Sequence, residues 1–156
     1  ITPPHGTNKR IFVSTATFVP NMAGRQQADD ICAAEAAGVG LPRTFLAFLG
    51  TSTSSPISRF EPLESYQRVD GQPLGPLAAP PLSFINRSAD STIVNGDVWA
   101  ENPSTVPTQN CEDWTITVTS FGGHGRSNVA GSGAYVDASL PYSNCSSTFR
   151  VYCVEK

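Results

Sequence analysis

The sequence predicts an α+β fold with strands near both ends of the chain. Three observations carry that expectation. Stretches of alternating side chains stand near each end, a single Ala- and Gln-rich helical segment follows the first of them, and the interior is proline-rich without a period. Arg10 to Phe18 reads as the first strand, with Ile11, Val13 and Thr15 pointing one way and Phe12, Ser14 and Ala16 the other. Pro20 ends it. Gly24 to Ala37 reads as a helix stopped by Gly38 and Gly40. Its stripe of Ala28, Ile31, Cys32 and Ala36 turns a cysteine toward the core, and Asp29 and Asp30 near its start suit the helix dipole.

Phe45 to Leu49 is brief, apolar and flanked by Pro42 and Gly50, which favours a buried strand over a helix. Eight prolines between Pro56 and Pro107 predict irregular chain, interrupted by a small hairpin around Asp70-Gly71. Trp114 to Thr119 alternates as a half-buried antiparallel strand would. The stretch from Phe121 to Asn144, with five glycines between Gly122 and Gly133, reads as a long surface loop. Phe149 to Val154 reads as the closing strand. Residues 1–9, opening Ile1-Thr2-Pro3-Pro4 without Met or a signal peptide, look like the end of a stiff linker. Residues 10–156 form one domain on this reading.

Composition narrows the function classes. Of 156 residues only 15% are charged, and Lys+Arg 10 against Asp+Glu 13 leave a formal charge of −3. No basic stripe for nucleic acid is present, and no run of about 18 apolar residues exists to span a membrane. The four cysteines, Cys32, Cys111, Cys145 and Cys153, contain no Cys-x-x-Cys pair. Two disulfides in an oxidising compartment are therefore expected, and cysteine arithmetic leaves all three connectivities open. Asn86-Arg87-Ser88 and Asn144-Cys145-Ser146 have the form of glycosylation sequons.

Catalytic patterns are thin, and no enzyme is expected. A hydrolase would use His124 with Asp137 and a serine, but no Gly-x-Ser-x-Gly elbow occurs. Gly122-Gly123-His124-Gly125-Arg126-Ser127 lacks the Gly-Lys-Ser/Thr ending of a phosphate loop. Binding fits better. Phe121, Tyr135 and Tyr142 offer aromatic planes, and His124, Arg126, Asn128 and Asp137 offer polar groups on one glycine-rich stretch. Arg126 is the only charged residue between Thr115 and Val136. Asp97, Glu101, Glu112 and Asp113 would hold calcium only if the chain gathered them, and their spacing matches no known loop.

Several segments then resemble a known family. They are Gly24-Arg25-Gln26-Gln27-Ala28-Asp29-Asp30-Ile31-Cys32, Gly40-Leu41-Pro42-Arg43-Thr44-Phe45-Leu46-Ala47-Phe48-Leu49, Val98-Trp99, Cys111-Glu112-Asp113-Trp114 and Tyr152-Cys153-Val154-Glu155. In order and character they resemble the endostatin domain of certain collagens, and more closely the bacterial endostatin-like domains of secreted and surface proteins. The resemblance implies a C-type-lectin-like fold: paired terminal strands, one main helix near the N-terminus, a long irregular loop region and two nested disulfides. It implies the pairing Cys32 with Cys153 and Cys111 with Cys145. It also implies core roles for Trp99 and Trp114.

The departures limit what carries over. His5 stands alone where the animal domain opens with His-x-His, and eight arginines are spread rather than clustered, so neither zinc nor heparin is expected. Glu61-Pro62-Leu63 and Glu101-Asn102-Pro103 do not match the calcium-dependent sugar motifs. No metal or cofactor is expected. The expected function is extracellular, secreted or at the cell surface. It is a recognition or adhesion domain, at the tip of a longer surface protein or fibre, binding a glycan or a host or extracellular surface protein. Its candidate ligand-binding residues are Phe121, His124, Arg126, Asn128, Tyr135, Asp137 and Tyr142. The alternative is a capping domain that helps its parent protein assemble as a homotrimer.

Overall fold

Two strands from opposite ends of the chain lie side by side at the centre of the molecule. In a computed structural model that describes residues 9–41, 44–117 and 120–156, β1 (Lys9–Val13) pairs antiparallel with β8 (Arg150–Glu155), bringing Phe12 opposite Cys153. The mixed sheet around them has eight strands. β2 (Phe45–Ala47) also pairs with β8, and β3 (Ser65–Arg68) and β4 (Pro73–Pro76) extend the sheet beyond β1. On the other side β5 (Asp97–Trp99) runs parallel to β8, followed by β6 (Phe121–Arg126) and β7 (Tyr142–Asn144).

The sheet is buried on both faces, and the two-residue period of the terminal strands sorts side chains between them. Phe12, Val151 and Cys153 join the core on one face, with α1 (Arg25–Gly38), Trp99 and Trp114. Ile11, Val13, Tyr152 and Val154 enter the core on the other, with Tyr66, Phe48 and Tyr135. α1 packs on β2 and β8 through the small residues Ala28, Cys32 and Ala36, which let the helix come close. The Cys32–Cys153 disulfide joins α1 to β8, and Cys111–Cys145 lies within its span. Both tryptophans are fully buried, with Trp99 Nε1 donating to the Phe18 carbonyl and Trp114 Nε1 to that of Gly50.

The expected hairpin around Asp70-Gly71 forms, as β3 and β4. Other boundaries move. β1 ends at Val13, and the chain returns to the sheet at Phe18 through a single bridge to Phe149. β2 stops at Ala47, short of the expected Leu49. Gly38 belongs to the helix, and Gly40, at φ 73°, lies beyond its end. Asp29 is not an acid at the helix start, because the first turn holds no acidic residue. It is buried, accepts from the Ala47 N–H at 2.9 Å and pairs with Arg59 at 2.6 Å, tying the helix to the sheet.

Two expectations fail. Residues 114–117 form no strand; Cys111–Trp114 is a short turn, α2, whose four residues all have positive φ. The Cys111–Cys145 disulfide and the bond from Trp114 to Gly50 draw both ends of this turn into the core, and the Asn110 side chain caps it at Asp113 N. The alternation of Trp114, Ile116 and Val118 therefore does not describe two faces of a strand, and Val118 and Thr119 lie outside the described residues. Phe121 to Asn144 is not one long loop, since β6 and β7 pair within it. Gly122, Gly123 and Gly125 are buried strand residues. A Cβ on Gly122 would meet Cys111 Sγ at 2.8 Å, one on Gly123 the Ala100 carbonyl at 2.6 Å, and one on Gly125 would overlap the Ala134 carbonyl. Strand propensity disfavours glycine, but close backbone approach requires it here.

Candidate functional site

β6 carries the polar residues of the Gly-rich stretch to one edge of the molecule, and its glycines set how close the neighbouring segments come. His124 is almost fully buried, with its ring against Phe149 at 5.2 Å. Its Nε2 lies 3.7 Å from both Asp97 Oδ1 and Asp137 Oδ2, and its Nδ1 lies 3.3 Å from the Ser143 hydroxyl. Burial pushes the imidazole below its ordinary pKa, against the pull of Asp97 and Asp137. Arg126, half-exposed, spans the same carboxylates, its Nε 2.9 Å from Asp137 Oδ2 and 3.5 Å from Asp97 Oδ1.

Asp137 Oδ1 accepts from the Ser139 hydroxyl and N–H and from Leu140 N–H, and these bonds, led by the Ser139 hydroxyl, lower its pKa to about 2. Asp97, His124 and Asp137 could each offer one ligand atom, all within 4.8 Å of one another. The Arg126 guanidinium already pairs with both carboxylates of this set. The order of contacts around His124 is also the reverse of a hydrolase triad, with the serine at Nδ1 and the carboxylates at Nε2. The cluster is an ionic network of two carboxylates, one guanidinium and one imidazole that links β6 to β5 and to the 137–140 turn.

The other candidates separate. Tyr135 is a core residue, its ring 5.3 Å from Phe48 and edge-on to Tyr152 at 6.0 Å. Asn128 is exposed beyond the end of β6. Phe121 and Tyr142 are exposed on adjacent strands, β6 and β7. The four acids considered for calcium are not gathered as a ligand set: Asp97 faces His124, Glu101 accepts from the Gly50 N–H, Glu112 is exposed, and Asp113 accepts from the Ser52 N–H and hydroxyl. His5 lies outside the described residues.

Beside the ionic cluster, a cleft of about 390 Å³ opens between the 100–109 segment and the 136–142 segment. Gly123 and Glu101 form part of its wall, Pro141 and Tyr142 lie on one side, and Thr105, Thr108 and Gln109 on the other. That volume falls within the roughly 300–1,000 Å³ of small-molecule sites. Glu101 is its only carboxyl, and no Lys, Arg or His lines it among the described residues. Glu101 is 5% exposed; its Oε2 accepts from Gly50 N–H at 2.8 Å, while Oε1 is buried without a hydrogen-bond partner among the described residues. Desolvation raises its pKa to about 8, overriding the Gly50 bond and the nearby Arg25 charge.

The sequence reading places Glu101 in a hypothetical calcium set and in a non-matching sugar motif, and no local signal marks its burial, which depends on the distant Gly50 N–H. Compared with known proteins, the chain matches no protein-family model and no curated protein.

Proposed function

We propose that this chain is a non-enzymatic extracellular recognition module, built on a C-type-lectin-like fold, that binds a glycan or a surface protein. The cleft between the 100–109 and 136–142 segments carries the reading. It presents an exposed aromatic ring, Tyr142, beside neutral hydroxyl and amide groups and one buried carboxyl. Such a mixture suits a ligand bound by its apolar face and its hydroxyls. Two further features support the setting. The disulfides Cys32–Cys153 and Cys111–Cys145 belong to an oxidising compartment, and no helix among the described residues is long and apolar enough to cross a membrane. The resemblance to endostatin-like domains supports reading such a module as the tip of a longer surface protein or fibre.

The test is a glycan array run in parallel with a binding screen against extracellular matrix proteins, using the oxidised chain. Saturable binding in either is expected, weakened by Tyr142→Ala. A blank result in both from a folded, disulfide-bonded domain overturns the reading.

A further inference from the structure

Building on that recognition reading, we propose that the cleft takes an uncharged saccharide, with a hydroxyl or acetamido oxygen of the sugar accepting a hydrogen bond from the Glu101 carboxyl. Buried polar groups in folded proteins almost always have partners, and an orphaned one costs its full desolvation. Glu101 Oε2 is satisfied by Gly50, whereas Oε1 is buried and unpaired. Glu101 nevertheless lines an open cleft, and a ligand atom that displaces the wall over Oε1 can complete what the chain leaves unmade.

Charge decides the class of ligand. The charged groups acting on Glu101 are Arg25 and Asp113, and neither lines the cleft. Arg25 acts on Glu101 from outside the cleft lining, its guanidinium donating to the Leu49 carbonyl at 3.1 Å. An anionic sugar would therefore meet a carboxyl and no counter-charge. Burial keeps Glu101 protonated up to about pH 8, so at neutral pH Oε1 can carry the proton and donate it. Thr105, Thr108 and Gln109 supply further neutral donors and acceptors, and Pro141 and Tyr142 supply apolar surface for the C–H face of a pyranose. The Gly50 bond fixes the carboxyl in place before the ligand arrives, which reduces the ordering cost of binding.

The test is a titration of the oxidised chain with N-acetylglucosamine, galactose, mannose and lactose, and with glucuronate and N-acetylneuraminate, each at about pH 6 and about pH 9.5, either side of the Glu101 pKa. Binding of at least one uncharged sugar at the lower pH is expected, falling about tenfold at the higher pH as the donor is lost. Glu101→Gln keeps a neutral donor in the same shape, so it should bind within about threefold of the parent and lose that alkaline decline. Glu101→Ala should lose about tenfold or more, with near-UV circular dichroism checking its fold. If Glu101→Ala does not fold, the pH profile of Glu101→Gln decides alone. Preference for the anionic sugars, or an alkaline decline unchanged in Glu101→Gln, overturns the inference while leaving the recognition reading intact. The same holds if only matrix proteins bind. Failure of both sugars and matrix proteins to bind removes the two together.

Discussion

Glu101 and His124 are both buried titratable groups, and burial moves their pKa values in opposite directions. Glu101 rises from its ordinary 4.5 to about 8, so the folded chain holds a proton that the unfolded chain releases. Stability is then complete below about pH 4.5 and is lost as pH rises toward 8, by a few kcal/mol in all. Glu101→Gln removes that titration but keeps the opposing one of His124, so urea unfolding at about pH 5 and about pH 8 should show the parent losing stability relative to the variant as pH rises. A parent-to-variant difference equal at both pH values would contradict the burial of this carboxyl. His124 works the other way: its folded pKa lies below the ordinary imidazole value, so its contribution is present above that value and is lost as pH falls through it. His124→Gln should accordingly be less sensitive to mild acid than the parent, read from melting temperatures at about pH 7 and about pH 5.

Where local pattern and packing agree, the elements were legible in the sequence. β1 and β8 read as strands because their short apolar runs, Ile11 to Val13 and Val151 to Val154, are buried on both faces, and α1 shows its buried stripe because only one side of it meets the sheet. The failures have a common cause, which is contact with distant chain. β6 is written in glycines because Ala100, Ala134 and Cys111 come so close that a side chain would not fit. The turn α2 keeps a strand-like alternation in sequence but is shaped by its disulfide and by the Trp114 bond to Gly50. The cleft was legible only in part, since its Tyr142 wall lies in the stretch singled out for binding while Glu101 is placed by long-range packing. Two glycine substitutions separate close approach from simple flexibility. Gly125→Ala, which collides with the Ala134 carbonyl, should destabilise by about 3 kcal/mol or more, the upper range for overpacking. Gly38→Ala, in the last turn of α1 with open space around it, should stabilise by about 0.5 to 1 kcal/mol. Urea midpoints of the two variants measure both effects, and equal shifts would contradict the packing of β6.

Across the described residues the molecule is a two-faced sheet with its first and last strands paired, and it is stapled twice. The Cys32–Cys153 bridge spans 121 residues and the Cys111–Cys145 bridge 34, closures contributing on the order of 4 to 5 kcal/mol each in the chain-entropy model. The two staples act on different parts. Cys32–Cys153 holds the helix to the central strand, whereas Cys111–Cys145 holds α2 near the end of β7, whose Tyr142 lines the cleft. Replacing Cys111 and Cys145 by Ser should therefore weaken ligand binding as well as stability, while replacing Cys32 and Cys153 should act mainly through stability. Affinity measured well below each variant's melting temperature distinguishes the two. The most direct test of cleft recognition is an amide chemical-shift titration of the nitrogen-labelled, oxidised chain with a panel of uncharged mono- and disaccharides. Shifts concentrated at Gly50, Glu101, Gly123 and Tyr142 are the expected result; shifts confined to Asn128 and the outer edge of β6, or no shifts with any sugar, would contradict it.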